Sequence, residues 1–368
     1  MMERLRQLKM QLSGSRSVQG SWSVCSIVAE PPELLYAFAA HYLELGAAEV
    51  HLFIDDPDQL GLETLSAMKG VRLTICTDKH WTKLAGVRPE GIVMRQLKNA
   101  NLAYKQCSTE WFLFCDADEF FVSNKRVSQL LDAVPVDVVH CRTRMAERVF
   151  PADGMQADLF DGVLRLPLVR GKAVLRAVYG DLAEMTTWGL SGHVIGKSFV
   201  RTGHRDQRIR VHFPVPMDQA EEARLRTTGD LNPGPELEGG WLVHYDGLTP
   251  LHWMLKLLRF YLSYAPMLSA EGIKRFDRRT PARSRQLNAI YEVQADPAVL
   301  ARLMPLIRPD AGMLAQLRDA GGLLDMTVDP TQAARRMISP DLGFRADNFD
   351  AQLRLRYGDL VAEYKLKG

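Results

Sequence analysis

Residues 111–121 read WFLFCDADEFF, from Trp111 to Phe121. Trp111 to Cys115 run apolar without a break into two carboxylates, Asp116 and Asp118, with Ala117 between them. An uninterrupted apolar run followed by polar residues is the pattern of a strand buried on both faces. In an extended chain Asp116 and Asp118 share one side, because side chains at i and i+2 point to the same face. Two carboxylates so placed suit a hard cation such as Mg2+ or Mn2+, which takes oxygen ligands and keeps positions for phosphate oxygens. The same spacing also occurs in helix caps and surface turns that bind nothing, and the buried strand before it is what distinguishes this instance. Glu119 is read as the start of a turn into the next helix.

Working outward, WSVCSIVA (22–29) is a run of β-formers closed by Pro31-Pro32. Leu34, Phe38, Tyr42 and Leu45 then recur at helical spacing, with Gly46 as the stop. VHLFI (50–54) reads as a strand ending in Asp55-Asp56, and a polar-faced helix over 58–69 leads to the strand VRLTIC (71–76). A loop carrying His80, Trp81 and Arg88 precedes a helix over 95–107, and the motif strand follows. Another helix is predicted near 126–133, then the strand VDVVHC (136–141). Strands alternating with helices predict βαβ units and a mostly parallel sheet covered on both faces. Ligands bind outside the carboxyl ends of such strands, where this chain collects Glu30, Asp55, Asp56, Asp116 and Asp118. Clustered carboxylates repel unless something positive sits among them, and a divalent cation is the economical explanation.

The chain has 368 residues, 46% hydrophobic and 24% charged, which excludes a disordered tail-like protein. Lys and Arg number 46 against 44 Asp and Glu, and a net charge of +2 argues against a dedicated nucleic-acid binder. The five cysteines form no CxxC pair and sit mostly in apolar runs, the usage of buried reduced thiols. Residues 1–20 form a basic amphipathic lead-in without the apolar core of a signal peptide, and no run of eighteen apolar residues occurs. A cytoplasmic location follows as the expectation. The stretch 142–240 is less periodic, with strand-like runs at 193–200 and 208–213, and the chain turns helical from Pro250.

VAEPPELLYAFAAHYLELGAAEVHLFIDD (28–56) and RQLKNANLAYKQCSTEWFLFCDADEFF (95–121) together resemble bacterial family-2-type glycosyltransferases of the GT-A fold. The likeness is to the subgroup with a DxDEF motif, which is also similar to family-92 enzymes. Where those members carry Asn-Glu after the first strand, this chain has Ala29-Glu30. Asp55-Asp56 replaces their Asp-Asn, and His41 to Gly46 keeps their His-to-Gly pattern with altered spacing. SGHVIGKSFVR (191–201), RVHFPV (210–215) and LVHYDGLTPLHWMLKLLRF (242–260) extend the likeness, which covers about 20–260.

The resemblance implies a GT-A (Rossmann-like) nucleotide-sugar-binding and catalytic domain over 21–250. The N-terminal extension (1–20) precedes it and a mainly helical region (251–368) follows. It implies that Asp116 and Asp118 hold Mn2+ or Mg2+ on the donor diphosphate, with His244 or His212 completing the metal shell. Glu30, Asp55 and Asp56 would lie near the nucleoside, and Lys197 or nearby arginines would face the phosphates. The implied activity is hexosyl transfer from a nucleoside-diphosphate sugar, a UDP-sugar first, to a glycan or glycolipid acceptor in bacterial surface polysaccharide synthesis. The resemblance implies a cytoplasmic enzyme, with the inner face of the membrane as its place of peripheral contact. An inverting member needs a base near the acceptor hydroxyl. Asp181, Glu184 and His193 lie in the right part of the chain, and no motif chooses among them.

Two other readings stand beside this one. A sugar-nucleotide binding protein without turnover is compatible with the missing Asn. A sugar nucleotidyltransferase needs a Gly-rich phosphate loop after the first strand, which Ala29-Glu30-Pro31-Pro32 lacks. GHVIGKS (192–198) is one residue short of a P-loop, whose first glycine falls on Ser191. His41, His51 and His140 fall in element bodies and read as structural. The arginines at 201, 205, 208 and 210 and the basic run Lys274–Arg285 are read as a solvated face, or as phosphate- or membrane-facing patches.

Overall fold

All seven residues of β1 (Trp22–Val28) are buried, and they divide by parity between the two faces of a sheet. Trp22, Val24 and Val28 join one apolar cluster, and Cys25 and Ile27 join another. That period of two is what a strand covered on both sides requires. A computed structural model describes residues 18–154, 158–264, 282–292 and 301–366. Most of the lead-in 1–20 and most of the basic run 274–285 lie outside the described residues.

β1 pairs in parallel with β2 (Glu49–Ile54), and β2 with β3 (Val71–Ile75). On its other side β1 pairs in parallel with β4 (Trp111–Phe114). The crossovers carry α1 (Pro32–Glu44), α2 (Glu63–Ala67), α3 (Asp78–Ala85) and α4 (Ile92–Gln106). Leu34, Leu35, Phe38 and Tyr42 of α1 cover one face of this quartet, and Leu97, Ala100, Ala103 and Tyr104 of α4 cover the other. Pro32 opens α1 where a missing N–H costs nothing, and Gly46, at φ +93°, takes the chain out of it.

Beyond β4 the sheet is mixed. β5 (Glu119–Ser123) follows the motif directly, and α5 (Val127–Asp132) leads to the long β6 (His140–Val149). After β7 (Val163–Arg165), α6 (Lys172–Tyr179) and β8 (Ser198–Arg201) comes a two-stranded hairpin, β9 (Gln207–Arg208) and β10 (Val215–Pro216). α7 (Gln219–Thr228) precedes β11 (Glu236–His244), which runs parallel to β6 and antiparallel to β5. With β12 (Leu323–Leu324) the strand path is β12-β7-β6-β8-β4-β1-β2-β3. The C-terminal part is mainly helical: α8 (Pro250–Tyr264), α9 (Ala282–Glu292), α10 (Ala311–Asp319), α11 (Thr331–Met337), α12 (Ala346–Arg356) and α13 (Gly358–Glu363). Leu251, Trp253, Leu257, Ala333, Phe349 and Leu353 from this part bury themselves in the cluster that holds Trp22 and Phe38. The sequence reading of an α/β sheet flanked by helices, with a helical C-terminal region, describes this molecule.

Several local readings change, among them the strand-like runs at 193–200 and 208–213, which give strand only at Ser198–Arg201 and Gln207–Arg208. Residues 78–85, read as loop, form α3, because the Thr77 hydroxyl caps the His80 N–H and Trp81 is wholly buried. The strand expected at 136–141 starts instead at His140 and continues to Val149 through the stretch read as aperiodic. Glu119 opens a strand rather than a turn into a helix, since Phe120, Phe121 and Val122 find a partner in β11. Four cysteines are buried and Cys107 is half-buried, all as free thiols. No helix among the described residues is long and apolar enough to cross a membrane.

Candidate active site

The motif turns as it leaves β4. The Glu119 N–H donates to the Asp116 carbonyl at 3.1 Å, and the Asp116 N–H donates to the Glu119 carboxylate at 2.8 Å. The chain is therefore not extended through Asp116–Asp118, and the expected shared face is lost. Helix α1 fixes the turn from behind. The Tyr42 hydroxyl donates to the Glu119 carbonyl at 2.8 Å and accepts the Phe121 N–H at 3.1 Å, while His41 Nε2 donates to the Phe121 carbonyl at 2.8 Å. Across the β5–β11 ladder Glu119 sits opposite His244.

The two aspartates face different partners. Asp116 accepts from Gln96 of α4 at 3.0 Å and from the Lys197 ammonium at 2.8 Å. Lys197 also lies 3.4 Å from Glu119 and is wholly buried. Burial opposes its charge, but Asp116 and Glu119 outweigh burial and hold its pKa above the ordinary lysine value. Burial likewise opposes the Glu119 charge, and Lys197 and His193 bring its pKa down to about 2.

Asp118 turns the other way. Its Oδ2 is 2.5 Å from Lys256 Nζ, which also lies 3.2 Å from Asp246 Oδ1. His244 Nε2 stands 3.7 Å from Asp118, 3.8 Å from Asp246 and 3.4 Å from Lys256. Its Nδ1 is 3.6 Å from Glu147, which pairs in turn with the buried Arg165. Burial and Lys256 oppose a charge on His244, yet Asp118 and Glu147 raise its pKa to about 10. Asp246 accepts from the Ser191 hydroxyl at 2.6 Å and from Trp253 Nε1 at 3.0 Å, and it pairs with Arg283.

Beside this centre the other strand ends contribute as the sequence predicts. Glu30, after β1, is 3.3 Å from His252 and 3.9 Å from Arg259, and although burial opposes its charge, His252 brings its pKa down to about 2. Asp55, after β2, takes Arg95 Nε at 3.0 Å on both oxygens and Arg88 at 3.1 Å. Asp56 pairs with Arg356 at 2.6 Å. Adjacent residues of α4, Arg95 and Gln96, thus tie Asp55 to Asp116. Among these side chains Asp116 is 35% exposed, Arg259 32%, Glu30 23% and Lys256 21%. These groups are partly exposed, whereas Lys197, Glu119 and Glu147 are buried against them.

Of the remaining predicted residues, Ala117 is buried in the turn. His193 joins the cluster, 3.4 Å from Glu119, with its ring stacked 5.7 Å from that of His244. Its Nδ1 donates to the Ile195 carbonyl at 2.6 Å. The His212 ring is 4.5 Å from His193, and burial, with the charges of His193 and Lys197, pushes its pKa down to about 3. Asp181 and Glu184 are exposed in a 3-10 turn, where Glu184 pairs with Arg176 at 3.3 Å. His51 and His140 are satisfied structurally, by Glu49 at 2.9 Å and the Asn232 carbonyl at 3.1 Å. Arg201 pairs with Glu110, and Arg208, Arg210 and Arg226 share Glu222, so each of these cations has a carboxylate partner within the chain.

The ligand set expected for Mn2+ or Mg2+ does not fit this arrangement. Asp116 is directed at Lys197 and Gln96, and Asp118 shares the Lys256 ammonium with Asp246 and His244. Among the described residues no three His, Cys, Asp or Glu side chains surround a common metal position. The positive charge that the carboxylates need comes from Lys197, Lys256, Arg165, Arg283 and His244.

Sequence reasoning missed Lys256, Asp246, Glu147 and Arg95. Lys256 carried a usable signal, a cation inside the apolar helix run LHWMLKLL, flanked by the buried Leu255 and Leu257.

No family model matches the chain, and no curated protein matches it. Solved structures to which it is similar include S. aureus TarS 1–349, at 14% identity and a TM-score of 0.34, covering 94% of this chain and 89% of that one. The same TarS fragment in complex with UDP-GlcNAc is similar at 14% identity and a TM-score of 0.33, over 78% of this chain and 81% of that one. HddC from Yersinia pseudotuberculosis is similar at 10% identity and a TM-score of 0.25, over 37% of this chain and 66% of that one. The site's own geometry, not these likenesses, supports the functional reading.

Proposed function

We propose that this protein is a GT-A-type glycosyltransferase that moves a hexosyl group from a nucleoside-diphosphate sugar to a hydroxyl of a glycan or glycolipid. The observation that supports it is the gathering of Glu30, Asp55 and Asp116 from three parallel strand ends beside the accessible cations Lys256 and Arg259. The partly exposed carboxylates of Glu30 and Asp116 suit the hydroxyls of ribose and sugar, Asp55 orders Arg88 and Arg95 beside them, and the cations suit a diphosphate. A UDP-sugar is the donor that the sequence resemblance implies.

In transfer, the bond from C1 of the sugar to the β-phosphate oxygen breaks and its electron pair leaves with the nucleoside diphosphate. The acceptor oxygen bonds C1 and releases its proton. Charge developing on the departing phosphate is stabilised by fixed cations already in place. Asp118 and Asp246 position Lys256, and Lys197 positions Asp116. Of the three base candidates, the structure brings only His193 into the cluster.

Incubating the protein with a panel of UDP-, GDP- and CMP-sugars tests this reading. One donor releasing its nucleotide faster than a buffer control, and slowly with Asp116→Ala, is the expected result. No release from any donor, alone or with glycan and lipid acceptors, contradicts it.

A further inference from the structure

We infer that the Lys256 ammonium stands where a divalent cation would stand, so that this protein binds the diphosphate of its donor without a metal. The inference rests on the nucleoside-diphosphate-sugar reading above. Lys256 comes from α8, between the buried Leu255 and Leu257, and α8 also supplies Trp253, whose Nε1 donates to Asp246 at 3.0 Å. The ammonium is thus delivered by the same helix that orients one of its carboxylate partners.

Its three N–H groups are unequally used. Asp118 Oδ2 takes one at 2.5 Å and the Asp246 carbonyl takes a second at 3.3 Å, with Asp246 Oδ1 at 3.2 Å as an ion-pair contact. The third faces His244 Nε2 at 3.4 Å, which cannot accept it while the imidazole is protonated. With 21% of the side chain exposed, that N–H can turn to a phosphate oxygen while the other two hold the amine in place. A Mg2+ or Mn2+ bound to Asp118 would sit at about 2.0–2.2 Å from its oxygen, hard against the ammonium. Like charges at that separation repel strongly in a dry site, so the metal would have to evict Lys256. The neighbouring carboxylates give it no other seat, because Arg283 pairs with Asp246, Arg165 with Glu147 and Lys197 with Asp116.

The test titrates UDP, GDP and CMP into chelator-stripped protein, first in EDTA and then with added Mn2+ or Mg2+. The expected result is UDP or GDP bound with a Kd that changes by less than about twofold between the two conditions, and weaker binding of CMP, which has no diphosphate. Lys256→Ala should bind at least about tenfold more weakly in EDTA. Wild-type binding that falls about tenfold in EDTA and returns with Mn2+ overturns the inference and leaves the donor reading standing. Equal binding by Lys256→Ala in EDTA also overturns it. No binding by folded wild-type protein in either condition overturns the donor reading, and the inference with it. Should Lys256→Ala fail to fold, the wild-type comparison decides alone.

Discussion

Lys197 and Asp116 lie 81 residues apart in the chain and meet at 2.8 Å, joining the entry to β8 to the end of β4. The same ammonium faces Glu119 at 3.4 Å. Lys197 cannot reach a ligand, being wholly buried, so its part is to fix the direction of Asp116 and to neutralise the motif turn. Replacing it by Met strands two carboxylates, one of them buried. Lys197→Met should lose about 3–5 kcal/mol of unfolding free energy and weaken donor binding. Urea unfolding measures the first and nucleotide titration the second. A stability change below about 1 kcal/mol would contradict this account of the ion pair.

Gly192 approaches the centre more closely than any side chain could. A Cβ built there would lie 3.0 Å from both Cε1 and Nδ1 of His244 and 3.3 Å from the Glu147 carboxylate, which accepts the Gly192 N–H at 2.9 Å. Gly192→Ala should therefore push the His244 ring off Lys256, at a stability cost of about 1–3 kcal/mol. Donor turnover should fall further than stability does. Unchanged kinetics in a folded Gly192→Ala protein would show that the place of His244 between Asp118 and Glu147 does not matter to donor turnover.

His41 gives the fold an acid sensitivity of known sign. Burial against Tyr42 and Phe120 lowers its pKa from 6.5 to about 4, while the Phe121 carbonyl and Glu44 resist the shift only in part. Between pH 6.5 and about 4 the unfolded chain takes up a proton there that the folded chain refuses. Stability is thus fully present above pH 6.5 and falls as pH drops through this window. His41→Gln should flatten the fall by up to about 1.4 kcal/mol per pH unit. Urea midpoints measured from pH 7 to pH 4 check it, and parallel curves for the two proteins would contradict it.

How much of this was legible follows from the range of each interaction. β4 declares itself by an unbroken apolar run and β1 and β2 by short runs of apolar and β-forming residues, and the position of Glu30, Asp55 and Asp116 at their ends follows from a rule about parallel sheets. The turn at Asp116–Glu119 was not legible. It depends on β11, more than a hundred residues away, offering Leu242, Val243 and His244 as partners for β5. Lys256 was hidden for a related reason. In sequence it interrupts an apolar helix, and only its 138-residue reach to Asp118 shows why a charge is tolerated there. Asp181 and Glu184 illustrate the converse, since a suitable residue type in a suitable region says nothing about which way a short 3-10 turn faces.

The most direct test of the central claim is calorimetric titration of UDP, GDP and CMP into the wild-type protein beside Asp116→Ala. One nucleotide should bind the wild-type protein, and its Kd should rise at least about tenfold in the variant. If none of the three binds while both proteins are folded, the acidic edge of β4 is a structural turn and this protein is not a nucleotide-sugar glycosyltransferase.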